Sequence, residues 1–145
     1  MRLDELKSEW AKDCIIDHDH LDVSSIRTAN LHQKYLNILT DCKLRMFKLE
    51  REFLSMKGQR SKYYSGQLTK SELAEMKWDQ YQYKTPLKSE LERLLETDSI
   101  LLDIKDKQSY VIFCFEYVEE IMKSLRERGW QIRNAIEWRK FEAGG

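Results

Sequence analysis

The stretch from Tyr35 to Met56 reads YLNILTDCKLRMFKLEREFLSM, and its spacing decides the fold. Tyr35, Leu39, Cys42, Met46, Leu49, Phe53 and Met56 recur at alternating steps of four and three. Residues 35, 42, 49 and 56 hold one heptad position and 39, 46 and 53 the other, a strict seam over about three heptads. So narrow an apolar stripe prefers another helix as partner, from the same chain or from a neighbouring copy. Packing within a core and an intersubunit coiled coil both satisfy that demand. Composition agrees: 34% charged residues with one proline and five glycines in 145 residues favour long helices over sheets or disorder. The expected fold is all-α and one compact domain: a long heptad-bearing helix, shorter helices and a C-terminal helical pair.

On the N-terminal side, Leu3, Leu6 and Trp10 form a short helical face that Cys14 and Ile15 extend. Asp17 to Asp22 reads as a connection, with Ser24 or Ser25 as the cap of the long helix. On the C-terminal side, Gly58 costs that helix about 1 kcal/mol relative to alanine, and Ser65-Gly66 marks a turn. Thr69-Lys70-Ser71-Glu72 has the shape of a capping box opening a run with Leu73, Met76, Trp78 and Tyr81. Pro86 is placed as the first residue of the next helix, whose apolar face is Leu87, Leu91, Leu94 and Leu95. Asp98 can then end one element and cap another.

From Tyr110 to Leu125 the chain is apolar around most of a helical circumference. A strand over Ser109 to Val118 competes on β-branched and aromatic density, but the charges from Glu119 to Lys123 fall at helical spacing. Gly129 is expected to stop this helix, with a final amphipathic helix following it. A helix apolar on most sides needs covering on most sides. Phe115, Val118, Met122, Leu125, Trp130, Ile132, Ile136 and Trp138 are therefore the expected oligomerisation residues. The organisation read from the chain is an N-terminal helical region, residues 1–100, and a C-terminal assembly region, residues 101–145.

Formal charge is zero overall, yet residues 43–70 carry eight bases against two acids, a local net of +6. Residues 1–22 and 71–106 are each −4. Within the basic stretch Lys57, Arg60 and Lys62 adjoin Tyr63 and Tyr64, with Lys48 and Arg51 upstream. Cations beside aromatic rings suit single-stranded nucleic acid, because cations neutralise phosphates and rings offer flat faces to unpaired bases. These seven are the candidate DNA-binding residues. A solvated helix face whose tyrosines cap the core is the plainer reading of the same stretch. Two other functions also fit: a helical scaffold or adaptor meeting an acidic protein surface, and an RNA-binding module, since the same contacts do not distinguish the sugar.

Other chemistry is scarce. The glycines are scattered and form no phosphate-binding loop. Asp17-His18-Asp19-His20 is the one cluster with metal-ligand character, and no further His or Cys has supporting spacing. No catalytic residue, metal or cofactor is expected, and the chain does not read as an enzyme. Cys14, Cys42 and Cys114 are odd in number and set in apolar patterns, so buried, reduced thiols are expected. No run approaches the roughly 20 apolar residues of a membrane span, and the acidic amphipathic start is unlike a signal peptide.

Arg60-Ser61-Lys62-Tyr63-Tyr64-Ser65-Gly66 resembles the Arg-Leu-Asp-Tyr-Tyr-Ser-Gly stretch of the UvsY family, the recombination mediators of T-even-like bacteriophages. Met1 to Leu6 and Arg139 to Gly144 are similar to that family's two ends, with Lys84-Thr85 and Arg128-Gly129 as matches in order between them. The resemblance covers essentially the whole chain, and its specificity lies in the ordered set. It implies a ring-like homo-oligomer, hexameric or heptameric, that binds single-stranded DNA without an ATPase of its own. It also implies two protein partners, a RecA-like recombinase and the single-strand-binding protein it replaces, in the cytoplasm of the infected bacterial host. The family's DNA-binding Lys and Arg, two apart, fall on Gly58 and Arg60. Only the arginine is carried over, with Lys57 and Lys62 near enough to replace the lost charge.

Overall fold

The structure, a computed structural model, describes residues 1–144. Among them are five helices and no strand: α1 (Leu3–Asp13), α2 (Leu21–Tyr64), α3 (Lys70–Met76), α4 (Lys88–Glu96) and α5 (Ser99–Glu142). The all-α expectation holds, and the helical reading of residues 109–118 prevails over the strand. Helices α2 and α5 have 44 residues each. They thread two compact units, one of Met1–Arg45 with Val111–Gly145, the other of Met46–Tyr110.

In the first unit α1 lies on the opening half of α2 and the closing part of α5. Leu6, Leu31, Tyr35 and Cys42 pack against Cys114, Val118, Ile121, Met122 and Leu125. Trp10 meets Tyr35 edge-on, with ring centroids 5.4 Å apart. The polar rim of this core is knotted at the end of α1. The Asp13 carboxylate accepts from Lys34 Nζ at 2.6 Å, Arg27 Nη2 at 2.8 Å and the Tyr35 hydroxyl at 2.8 Å. Burial opposes its charge, but the Lys34 and Tyr35 hydrogen bonds outweigh burial and hold the carboxyl below its usual value. An acid at a helix C-terminus faces the negative end of the dipole, and these donors offset that cost.

Arg128, 3% exposed, sits beside this knot. It donates to Thr28 Oγ1 at 3.1 Å, the Asp13 carbonyl at 3.3 Å and the Ser24 carbonyl at 3.5 Å. Its partners are all neutral oxygens, one of them a carbonyl that the end of α1 leaves without an intrahelical donor. Burial pushes its pKa down.

Several boundaries differ from expectation. Helix α2 starts at Leu21, and the Ser24 hydroxyl accepts the Asp17 N–H at 3.1 Å rather than capping. No helix ends at Gly129, so the expected C-terminal pair is one continuous α5. Buried Arg128 and Ile132 anchor the turns flanking that glycine and offset its low helical propensity. Helix α2 runs through Gly58 and ends at Tyr64, with the expected turn at Ser65-Gly66 following it. Cys14 is exposed, because it caps the end of α1, whereas Cys42 and Cys114 are buried and burial pushes both thiols up.

In the second unit the seam continues. Met46, Leu49, Phe53 and Met56 are half-buried, and the next step along the same stripe reaches Arg60. The Thr69–Glu72 capping box forms as read, at 3.2 and 3.3 Å. Helix α3 is shorter than expected because Lys77 adopts a left-handed conformation, φ 59°, and the Trp78 N–H folds back to the Leu73 carbonyl. That ending releases Trp78 and Tyr81 from the helix into the following loop. Helix α4 begins at Lys88 rather than at Pro86, with Leu87 as its cap and the Leu87 N–H held by Glu90 at 3.2 Å. Asp98 begins α5 as the sequence suggested, Oδ1 accepting from the Ile100 and Leu101 N–H groups.

Candidate nucleic-acid interface

The basic-aromatic stretch is the last turns of α2, and its members divide by which face of the helix they occupy. Lys48, Arg51 and Lys62 are exposed and lie along one stripe, with Ser55 and Gly58 between them, on the side away from the seam. From Lys48 to Lys62 the stripe extends roughly 21 Å. Lys57 is exposed on the flank, beside Phe53 and Lys105.

Arg60 is different. As a seam residue it points inward and is only 9% exposed. Its Nε donates to Asp98 Oδ2 at 2.7 Å and its Nη2 to the Tyr64 hydroxyl at 3.2 Å. The Tyr64 hydroxyl donates in turn to the same Asp98 oxygen at 2.6 Å. The guanidinium carbon lies 4.3 Å from the Tyr63 ring centre, 4.7 Å from Trp78 and 5.0 Å from Tyr64, so three aromatic faces close around the cation. Burial works against the Asp98 charge, yet the Tyr64 and Arg60 hydrogen bonds keep that carboxyl below its ordinary range. For Arg60, burial is outweighed by the Asp98 hydrogen bond and its pKa is raised.

Tyr63 and Tyr64 are therefore half-buried members of a ring cluster rather than open platforms. Tyr81 sits 5.8 Å from Tyr63 and 5.1 Å from Tyr64, and Tyr83 stands 5.4 Å beyond Tyr81. The cluster's outermost ring, Tyr83, is 79% exposed. The sequence singles out Tyr83 only weakly, by its place between Tyr81 and Lys84. Asp98, which ties the cluster together, reads in the sequence as a cap alone.

The residues expected to mediate assembly also divide. Val118, Met122, Leu125 and Ile132 are at most 4% exposed, and Phe115 packs at the edge of the first unit's core. These five belong to the interior of the chain itself. Trp130 (64% exposed) and Trp138 (62%) face outward, as does Ile136, and Trp138 stacks on exposed Phe141.

Comparison with known proteins bears on this geometry. Residues 9–145 match the family model described as recombination, repair and ssDNA binding protein UvsY. The chain belongs to the UvsY family. It is 28% identical over 144 residues to the recombination protein UvsY of Enterobacteria phage T4, with 99% of each chain covered. Two crystal forms of the bacteriophage T4 recombination mediator protein UvsY superpose with TM-scores of 0.83 and 0.80, at 26% and 25% identity. The alignments cover 99% of this chain and 98% of the first, and 98% of this chain and 99% of the second. The UvsY description is one of binding, recombination and repair and names no catalysed reaction. No helix among the described residues is long and apolar enough to cross a membrane, and no group of three or more acidic, His or Cys residues among them is arranged to hold a metal ion.

Proposed function

We propose that this protein is a recombination mediator that holds single-stranded DNA along the outer face of α2 and promotes loading of a RecA-like recombinase. The strand it acts on is one covered by single-strand-binding protein, in homologous recombination, repair and recombination-dependent replication within the infected host's cytoplasm. The observation that carries this reading is the row of unburied cations on a rigid helix, Lys48, Arg51 and Lys62 with Lys57 at the flank. Arg60 serves this surface from beneath: it fixes the ring cluster and the end of α2 and leaves phosphate contact to its neighbours.

A few cations bind a strand weakly and release it readily in salt. Several copies in one homo-oligomer, hexameric or heptameric, raise the overall affinity by orders of magnitude through effective concentration. Outward-facing Trp130, Ile136 and Trp138 are the proposed assembly surface, within a C-terminal assembly region spanning residues 101–145. A strand constrained by such an assembly no longer follows the path a single-strand-binding protein requires, and the recombinase gains entry.

The test is a fluorescence-anisotropy titration of labelled oligo-dT across salt concentrations, with the parent protein and with Lys57→Ala plus Lys62→Ala. Every cation–phosphate pairing that the variant removes should flatten the plot of log affinity against log salt by about 0.7. A variant with the parent's slope and affinity sinks the proposal. Binding that is insensitive to salt would favour the adaptor reading, and equal-length RNA outcompeting DNA would favour the RNA-binding one.

A further inference from the structure

Beyond the aromatic cluster the loop 77–87 and the face of α4 enclose an open hollow of about 640 Å³. Its apolar lining is Tyr81, Tyr83, Pro86 and Leu94, and Lys84 and Arg93 line it as well. We infer that this hollow is a nucleobase-stacking subsite for the same single strand, with Tyr83 as the platform and Lys84 and Arg93 taking the adjoining phosphates. The inference rests on the single-stranded-DNA reading above and adds to it a site that the row of cations on α2 does not contain.

Three observations lead to it. Tyr83 is an aromatic ring that the fold does not use as core: one side tilts against Tyr81 at 5.4 Å and 79% of the residue is exposed. A large ring held at a fixed tilt with its surface open is suited to receive a flat, weakly solvated group. The hollow is also continuous, through Tyr81, with the Tyr63–Tyr64–Trp78 cluster at the end of the cationic helix. Tyr83 is thus the open end of the ring cluster in which α2 terminates.

The third observation is the charge. Glu90 and Glu96 line the hollow with Lys84 and Arg93, so the site is neutral and is no phosphate trap. Carboxylates repel phosphate but accept hydrogen bonds from the ring N–H and exocyclic amines of bases. Glu90 is already oriented by the Leu87 N–H. Aromatic rings, carboxylate acceptors and two cations lining one hollow match a nucleotide with its base inserted, and not a bare phosphate. The long cationic stripe on α2 would read the backbone; this hollow would read the presence of a base.

Anisotropy titrations of labelled oligo-dT and of an equal-length abasic strand separate the two contributions. The parent should prefer the strand with bases, and Tyr83→Ala should bind oligo-dT roughly tenfold more weakly while its salt slope stays unchanged, as expected for loss of one stacked base. Tyr83→Ala should bind the abasic strand as the parent does, and Tyr83→Phe should restore the preference. Unchanged oligo-dT affinity in Tyr83→Ala, with a flattened slope in Lys57→Ala plus Lys62→Ala, overturns this inference and leaves the DNA-binding reading standing. No binding of either strand by the parent overturns both. A Tyr83→Ala defect equal on both strands also refutes the stacking role.

Discussion

Replacing Asp98 with alanine removes three things at once: the partner of a buried guanidinium, the acceptor of the Tyr64 hydroxyl and the cap of α5. The Asp98 side chain is 1% exposed and that of Arg60 11%, so solvent is poorly placed to take over from the missing carboxylate. Breaking a buried pair by deleting one member costs about 3–5 kcal/mol, because the remaining charge stays buried without compensation. Loss of an N-cap costs about 1 kcal/mol more. The two losses share one side chain and overlap, so roughly 4 kcal/mol is expected for Asp98→Ala. That corresponds to a fall in Tm on the order of 10 °C for a chain of this size. Asp98→Asn should cost less, since the amide oxygen still accepts the Ile100 and Leu101 N–H groups at the cap of α5, while its NH2 stands where Oδ2 accepted from Arg60 and Tyr64.

Urea titration followed by circular dichroism measures each of these. The double replacement Arg60→Met with Asp98→Leu completes the test. Removing both charges should recover much of the loss, since a buried pair is often no better than a well-packed apolar one. Asp98→Ala within 1 kcal/mol of the parent would refute the reasoning, as would a double variant whose loss equals the sum of the single ones.

Three further outcomes follow from the same structure. Gly58 is exposed on the cationic stripe, and a Cβ there meets nothing within 4 Å; Gly58→Lys should stabilise α2 by up to about 1 kcal/mol and steepen the salt slope of oligo-dT binding, both read by the assays above. Asp13 and Asp98 have depressed folded-state pKa values; their contribution is in place above the unfolded carboxylate value of about 4 and disappears as pH falls below it, so a urea series in acid should show the loss for the parent and a smaller one for Asp98→Asn. Trp130→Ser with Trp138→Ser should lower the mass seen by light scattering while leaving the helical circular-dichroism signal intact; an unchanged mass excludes these residues from the assembly surface.

Helix α2 was legible because a heptad seam is a strong periodic signal, and the seam residues Tyr35 to Met56 are buried or half-buried as the pattern requires. Glycine misled at Gly129, whose cost of about 1 kcal/mol is too little to stop a helix whose neighbouring turns are anchored in a core. Lys77, which does stop a helix, carries no such signature, since a left-handed lysine is stabilised by the backbone bonds that follow it. At the interface, the local concentration of cations was visible, but their directions were not. Arg60 was read by its charge when its spacing from Met56, four residues on, already placed it on the seam. Its carboxylate partner lies 38 residues away, a pairing that only the folded chain reveals.

That seam position has a consequence for how the fold is specified. Apolar residues repeating every seven positions fit a partner helix equally well after a slip of one heptad, and nothing in Leu49, Phe53 or Met56 forbids the slip. A slip of one heptad would carry Asp98 about 10 Å along α2, leaving both charges buried and unmatched. Arg60 and Asp98 thus act as a key and its ward: they add little net stability to the correct alignment and make the neighbouring ones too costly to populate. The arginine that looks most like a ligand-binding residue is, by this logic, the one that sets the register of the chain.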